Sequence, residues 1–238
     1  MKLPIVCPQC MIDDIGGARP IAAVEFRDDG RYEVACPKGH RAIVLLQQQK
    51  FELLFDIGAY AISDGYYREA VSSFTASLER FYEFFVRALM LQEGIAPEVI
   101  DAAWKTVAAQ SERQLGAFTL LYALEFGRPA QLLSGARVAF RNDVVHKGKI
   151  PTRAEALDYG QAVLDVVRPI LKEAQERFPD GVKKTVFRQL SQSRAPTDQG
   201  QPAATLSIST IISISVADAS HHARSLEQAV AGLTRWQA

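Results

Sequence analysis

Three cysteines and one histidine within the first 40 residues are spaced as metal ligands. They form a C-x2-C pair, Cys7 and Cys10, and a C-x3-H pair, Cys36 and His40, with 25 residues between the pairs. A tetrahedral structural zinc site takes four Cys or His ligands, commonly as pairs two to four residues apart. Because such a closed site has no open position for water, we expect one structural Zn²⁺ per chain.

A redox dithiol is the alternative interpretation of the first cysteine pair. It is typical of a βαβ context and leaves Cys36 and His40 without a role. The residues between the two pairs favour a hairpin instead, because residues 23–27 and 31–35 alternate apolar with polar side chains. They flank Asp28-Asp29-Gly30, a sequence typical of a turn. We therefore expect an N-terminal β zinc ribbon over residues 1–45.

A second group of chemically capable residues lies at Arg141, Asn142 and His146. Arginine presents a planar fork of N–H donors that matches phosphate oxygens. Histidine, with an unperturbed pKa of about 6.5, exchanges protons near neutral pH. Attack of a ribose 2′-hydroxyl on its own phosphodiester needs a phosphate clamp and a proton carrier, and it needs no metal. These residues are therefore candidates for phosphodiester chemistry.

Helix geometry limits how these three side chains can cooperate. The sequence predicts that their helix ends close to Gly148. Asn142 and His146 are four residues apart and share a helix face, whereas Arg141 and His146 differ by about 140°. Arg141 therefore joins His146 within one chain only if the last turn is loosened, which the glycine would allow.

A purely structural role is the alternative for both charged residues. Arg141 could form an ion pair with Glu155 or Asp143 and so complete the end of the helix. His146 could bind the free carbonyl groups of the last turn, where a cationic side chain is also favoured by the helix dipole. Without further information this interpretation competes directly with catalysis.

The segment Phe140-Arg141-Asn142-Asp143-Val144-Val145-His146-Lys147-Gly148 resembles the Arg-x4-6-His motif of the HEPN superfamily. The segment Ser77-Leu78-Glu79-Arg80-Phe81 is similar to part of that family's first long helix. The resemblance spans about residues 46–178. It implies a small α-helical bundle, usually a homodimer, in which two motifs meet at the two-fold axis. There they form a composite endoribonuclease site that needs no metal.

On this resemblance the catalytic residues would be Arg141, Asn142 and His146, with RNA as the substrate and a toxin or defence system as the setting. Glu79 and Arg80 would be either a surface pair or residues that line the dimer cleft. Basic residues gather around the motif and favour the nuclease: Arg137, Arg141, His146, Lys147, Lys149 and Arg153.

Some members of that superfamily are not nucleases, so a second function stays open. The chain could be a non-catalytic zinc-ribbon/HEPN interaction or nucleotide-binding protein. The ribbon or a C-terminal strand would then bind a protein partner. The formal net charge of zero, from 27 basic and 27 acidic residues, favours this alternative, because RNA enzymes usually have a basic surface.

Hydrophobic periodicity predicts a mainly α protein with an antiparallel helical bundle over residues 46–180. Its clearest helix carries apolar residues at steps of three and four from Tyr67 to Leu89. We interpret that stripe as core and expect it to support the homodimer. Further helices are predicted at 46–62, 130–145, and 152–178 after a capping box. Residues 98–125 are predicted as one long helix or as two shorter helices that break at Gly116.

Residues 181–238 form a small C-terminal β/α extension in the prediction. It consists of a strand over 182–190, a mobile loop over 191–204, a strictly alternating strand over 206–216 and a helix over 219–236. The neighbouring His221 and His222 are interpreted as solvated side chains rather than as a metal site. A strand needs a partner, which could come from this extension or from another subunit.

Composition favours a cytoplasmic protein with no membrane partner. The chain of 238 residues is 48% hydrophobic and 23% charged, which is enough to bury a core. Its first residues lack the apolar stretch of a signal peptide, and no run is long enough to span a bilayer. Cysteines committed to a metal are typical of a reducing compartment.

Overall fold

The computed structural model describes residues 2–13, 22–195 and 202–233. Within these ranges the chain is mainly helical, with two small sheets. The elements are β1 Leu3–Ile5, α1 Pro8–Asp13, β2 Ala22–Val24, β3 Arg31–Ala35, β4 Arg41–Leu46, α2 Lys50–Ser63, α3 Tyr67–Gln92, α4 Pro97–Val107, α5 Ser111–Phe126, α6 Gly135–His146, α7 Arg153–Arg177, α8 Pro179–Ser193, β5 Ala203–Leu206, α9 Ala219–Ala223 and α10 Leu226–Ala231.

The chain forms two compact units. The first comprises residues 1–48, 186–208 and 233–238, and the second comprises residues 49–185 and 209–232. The C-terminal residues therefore divide between the two units. No helix in the described part of the chain combines the length and the apolar character that a membrane crossing requires.

The first unit contains both sheets, and its strand pairing differs from the predicted hairpin. Strand β2 pairs antiparallel with β1, while β3 pairs antiparallel with β4, and β5 adds to β4 in parallel. The predicted pairing of residues 23–27 with 31–35 is therefore wrong. Strand β4 is the better partner for β3, because its five residues from Ala42 to Leu46 are all buried. The strand also includes Leu46, so the helix predicted from residue 46 begins only at Lys50.

The second unit is built around α3, and its predicted apolar stripe is confirmed. Helices α2, α5, α6 and α7 all pack on it. The rings of Phe51 and Phe55 in α2 lie 5.3 and 4.8 Å from those of Phe81 and Phe74 in α3. Helices of the same chain cover the stripe. It is therefore not the surface through which a second chain could bind.

Two further helix boundaries have a local explanation. Of the two alternatives for residues 98–125, the structure has two helices, α4 and α5, and the break lies at residues 108–110 rather than at Gly116. The buried Gln114 fixes this break, because its side-chain amide donates to the carbonyl oxygen of Ala108 at 2.6 Å. The capping box of Thr152 and Glu155 opens α7 as predicted.

The C-terminal strands were predicted wrongly. Residues 182–190 lie in helix α8, and the alternating segment is a strand only up to Leu206. The helix predicted over 219–236 is two short helices, α9 and α10, and its last residues lie outside the described part. The predicted loop over 191–204 is described only in part, since residues 196–201 lie outside the described ranges.

Two helical glycines give a matched test of the packing. A Cβ on Gly181 would overlap the carbonyl oxygen of Ala88 in α3, whereas a Cβ on Gly116 meets no atom within 4 Å. Gly181→Ala should therefore lower the free energy of unfolding by about 1–3 kcal/mol. Gly116→Ala should raise it by about 0.5–1 kcal/mol through helix propensity. Urea unfolding followed by far-UV circular dichroism measures both, and equal effects would contradict this packing.

Candidate functional site

The four predicted metal ligands converge in the first unit. The Nδ1 atom of His40 lies 3.7 Å from the Sγ of Cys7 and 3.5 Å from the Sγ of Cys10, which is 3.9 Å from the Sγ of Cys36. All four ligand atoms lie within 4.8 Å of one another. A tetrahedral zinc ion with ordinary bond lengths would separate two sulfurs by about 3.8 Å and a sulfur from a nitrogen by about 3.6 Å. The residues therefore fit a four-coordinate metal ion.

Each ligand pair is positioned by a short turn. Cys7 directly precedes α1, and its carbonyl oxygen accepts a hydrogen bond from the N–H of Met11 at 3.1 Å. Cys36 and His40 flank the tight turn from β3 to β4, where the N–H of Cys36 donates to the carbonyl of His40 at 3.0 Å. Gly39 supplies the positive φ of 84° that this turn requires.

The thiols are arranged so that a cation would stabilise their ionised form. Burial, together with hydrogen bonds to the neighbouring thiols, raises the pKa of Cys10 to about 11. Burial also opposes ionisation of Cys36, but hydrogen bonds from the backbone of His40 and Lys38 outweigh it and lower the pKa of that thiol. The three cysteines are free thiols, and only a bound metal would let all of them ionise together.

We predict one transition-metal ion per chain at this cluster. Replacing two thiolate ligands, Cys7→Ser with Cys36→Ser, should abolish binding and unfold the small N-terminal sheets, because such modules depend on metal for folding. The helical unit should keep its far-UV circular dichroism signal. Elemental analysis of protein purified without chelator measures the stoichiometry. A metal content near zero in the unsubstituted protein would contradict the prediction.

The second candidate site lies on α6, which packs against α3. Arg141 is half-buried. Its positive charge lies close enough to the side chains of Glu79, Tyr82 and Tyr159 to influence all three. Burial raises the pKa of Glu79, and the charges of Arg141 and Arg80 oppose that rise. These three side chains, on α3 and α7, are here named the polar floor near Arg141.

Arg141 has neither of the partners that a structural role would give it. Asp143 pairs with Lys147 at 2.9 Å, and Glu155 pairs with Lys149 at 2.7 Å. In the described residues the guanidinium of Arg141 forms no ion pair or side-chain hydrogen bond. It is therefore held in place by packing, with its donors available to a ligand.

Most of the other basic residues around the motif are neutralised. Besides the two lysines, Arg137 pairs with Asp158, and Arg153 lies 3.4 Å from Glu227. Arg80, on α3, binds Glu83 rather than Glu79. Of the basic residues that cluster around the motif, Arg141 and His146 on α6 are thus the two that form no ion pair in the described part of the chain.

His146 is the last residue of α6, and its side chain is exposed. The helix stays regular to that residue, so the loosened turn that would bring Arg141 beside His146 is not present. Asn142 is half-buried and shares the helix face of His146 by its four-residue spacing. The structure thus places the three predicted site residues on one helix, but the arginine and the histidine point to different sides.

The polar floor near Arg141 includes two tyrosines. Tyr159 is fully buried and its hydroxyl lies 2.9 Å from that of Thr75. Tyr82 is 5% exposed and stacks on Phe118 with ring centroids 4.5 Å apart. Tyr82 lies off the apolar stripe of α3 in the sequence, whereas no sequence pattern indicates a role for Tyr159. Only the packing of α3, α6 and α7 brings both side chains near one arginine.

The histidine pair near the C-terminus is occupied by backbone contacts. The Nε2 atom of His221 donates to the carbonyl of Thr210 at 2.8 Å, and that of His222 donates to the carbonyl of Val216 at 2.7 Å. These imidazoles position the chain rather than converge on a metal ion. In the described residues, the cluster of Cys7, Cys10, Cys36 and His40 is the one group that offers a metal site.

Comparison of the chain with protein-family models, with curated proteins and with solved structures finds no match. The geometry of the two sites and the motif around Arg141 are therefore the basis for an assignment of function.

Proposed function

We propose that this protein is a metal-independent endoribonuclease of the HEPN type, fused to a zinc ribbon and acting in the cytoplasm as part of a toxin or defence system. Single-stranded RNA is the substrate. Arg141 holds the scissile phosphate, His146 transfers protons, and Asn142 orients the phosphate or the imidazole.

One observation carries this proposal. Arg141 is half-buried near the polar floor of Glu79, Tyr82 and Tyr159 but, in the described residues, forms no ion pair, while Asp143 and Glu155 pair with other cations. Although the charge of Glu79 lies near it, a guanidinium held partly out of water without bonded acceptors is unfavourable for stability alone. A phosphate group would supply the missing bidentate acceptor. The unpaired guanidinium therefore supports a ligand-binding role.

The direction of the side chains favours a site shared by two chains. Because Arg141 and His146 lie on different sides of α6, we infer that the histidine of one chain serves the arginine of another. His146 removes the proton of the ribose 2′-hydroxyl or protonates the leaving 5′-oxygen. Arg141 stabilises the negative charge that develops on the phosphorus oxygens. The products carry a 2′,3′-cyclic phosphate and a 5′-hydroxyl.

Zinc is the metal we assign to the cysteine–histidine cluster. Three thiolates and one imidazole in a tetrahedral arrangement are ligands typical of structural zinc. With all four positions filled by protein, the ion would hold the two turns of the ribbon together and take no part in cleavage. It has no position open for water or RNA.

We predict that His146→Ala lowers the rate of RNA cleavage by about 10²–10⁴-fold, the usual loss when a positioned general acid–base is removed. Arg141→Ala should be equally damaging, and Arg141→Lys should not restore full activity because an ammonium lacks the bidentate fork. Gel analysis of labelled single-stranded RNA, with end-group analysis for the cyclic phosphate, measures this.

Arg137→Ala is the matched control for these variants. It removes an arginine from the same helix, but one already paired with Asp158, so cleavage should persist. Activity should also survive excess EDTA when elemental analysis shows that the ribbon keeps its metal. Equal cleavage by the unsubstituted protein and His146→Ala would assign the activity to a contaminant and contradict the proposal.

The same proposal includes a homodimer, but it forms through a different surface from the apolar stripe of α3 that the sequence indicated. Leu120 and Leu124 on α5 are 75% and 80% exposed, and no charged residue occurs from Leu115 to Leu124. Helix α6 carries the motif, and only Val144 of its residues is buried. An exposed apolar face on α5, together with a motif on α6 that needs a second chain, supports dimerisation through these two helices.

We predict a dimer at tens of micromolar, a concentration at which a complex with a dissociation constant of about 1 μM is mostly assembled. Leu120→Glu with Leu124→Glu should give a folded monomer that has lost cleavage. Val99→Glu, at an exposed apolar position on α4, should stay dimeric. Sedimentation velocity measures the three proteins. A monomeric unsubstituted protein, or a dimeric double variant, would contradict this interface.

A non-catalytic interaction or nucleotide-binding protein is the second candidate. The ion pairs that neutralise Arg137, Lys147, Lys149 and Arg153 favour it, because they leave little positive surface for RNA. In that case the ribbon, the C-terminal segment or the exposed leucines would bind a protein partner. Absence of cleavage in every protein tested above, together with an intact dimer, would favour this candidate.

A further inference from the structure

Two carboxyl groups lie buried side by side in the second unit. Glu52 and Asp56 are one turn apart on α2 and are 1% and 3% exposed. Both bind residues 209–216, here named the strap, which follows the last strand. This is the segment whose alternating sequence predicted a strand. Carboxyl groups that are buried without a function are rare, because their charge is costly to remove from water.

The carboxyl groups hold the strap by its backbone. The N–H of Ile211 donates to Oδ1 of Asp56 at 2.9 Å, and the N–H of Ile214 donates to Oε1 of Glu52 at 2.9 Å. The hydroxyl of Thr210 lies 3.4 Å from the same Glu52 oxygen. The second oxygen of Glu52 accepts from the N–H of Gln49, at the start of α2, at 2.7 Å. Side chains thus replace the neighbouring strand that these amides would otherwise require.

The opposite edge of the strap is held by hydrogen-bond donors from α7 and α9. Arg168 donates to the carbonyl of Ile211 at 3.1 Å, and Gln175 donates to that of Ile214 at 2.8 Å. His221 and His222 bind the carbonyls of Thr210 and Val216. Ile211 and Ile212 are buried, so the strap covers an apolar surface.

Within the described ranges, no cation is bonded to the buried carboxyl groups. The cations around the strap, Arg168 from α7 and Arg224 beside His221, bind carbonyl groups or the imidazole. Helix α3 faces α2 with apolar side chains and with Ser77, whose hydroxyl donates to the carbonyl of Phe51. Helix α10 buries Leu226, Ala229 and Val230 and keeps Glu227 exposed. Glu52 and Asp56 are therefore the acidic groups that face each other in this packing.

Burial shifts the ionisation of both groups in one direction. It raises the pKa of Glu52 to about 7, against the opposing effect of its hydrogen bonds. It raises the pKa of Asp56 to about 8, to which the charge of Glu52 adds. Burial lowers the pKa of His221, so this imidazole is already neutral in the range where the carboxyl groups ionise. The carboxyl groups thus dominate the response of the strap up to about pH 8, above which the closed and open states are equally ionised.

We propose that the strap is a pH-sensitive latch, closed while Glu52 and Asp56 retain a proton and opened when both carboxyl groups ionise. Two adjacent negative charges cannot be solvated beneath the closed strap, and opening admits water to them. A carboxyl group with a raised pKa binds its proton more tightly in the closed state. The stability it contributes is therefore complete at low pH and is lost as the pH rises through the raised value. Opening releases the strap, whose alternating sequence is typical of a strand, and uncovers the surface beneath Ile211 and Ile212.

Hydrogen–deuterium exchange of the full chain at about pH 6, 7, 8 and 9 tests the latch. Exchange rates are divided by those of the same peptides in the unfolded chain, which removes the intrinsic effect of pH. Protection of the strap peptide should fall by about tenfold per pH unit for each carboxyl group that loses its proton on opening, and it should level off above about pH 8. Protection of the peptide from the centre of α7 should stay constant and so exclude global unfolding.

The variant Glu52→Gln with Asp56→Asn keeps an acceptor oxygen at each position but cannot ionise, so its strap protection should not depend on pH. Glu93→Gln, an exposed residue at the end of α3, is the matched control and should behave as the unsubstituted protein. If the double variant does not fold, Asp56→Asn alone should weaken the pH dependence. A strap whose protection in the unsubstituted protein is constant from pH 6 to 9, or falls only together with α7, overturns the proposal.

Discussion

Burial of one face of α3 is the constraint on which the rest of the second unit depends. Phe74, Phe81 and Phe85 on that helix are completely buried, and each aromatic ring contacts a neighbouring helix. Helices α2, α5, α6 and α7 are placed by their contacts with this surface. Because aromatic side chains bury the most area, the order of the bundle follows from where these rings lie.

The same packing explains why the candidate site is chemically unusual. Val144 is the only residue of α6 that is buried, so this helix packs on the outside of the bundle against α3. Arg141 is thereby held over Glu79 and two buried tyrosines, while His146 stays in solvent at the helix end. A charged side chain that is held near other titratable groups without an ion pair in the described residues is typical of a binding site. In the proposed function, the other half of that site comes from a second chain.

The sequence predicted most helices between residues 50 and 178, and the grouping of Cys7, Cys10, Cys36 and His40, because both depend largely on local spacing. The stripe from Tyr67 to Leu89 and the capping box at Thr152 are complete within a few residues. Strand pairing depends on partners that are distant in sequence, so the predicted hairpin was wrong. The alternating segment 206–216 failed as a strand because Glu52 and Asp56 bind its amides, and nothing local reveals those acceptors. The orientation of Arg141 likewise required the packed structure.

The proposed composite site is tested most directly by mixing two inactive proteins. Arg141→Ala and His146→Ala are unfolded together, refolded as a mixture, and assayed for RNA cleavage beside each variant refolded alone. If the arginine and the histidine of one site come from different chains, a mixed dimer contains one intact site, and cleavage reappears. If both come from one chain, or if neither takes part, the mixture is no more active than its components, and the account is contradicted.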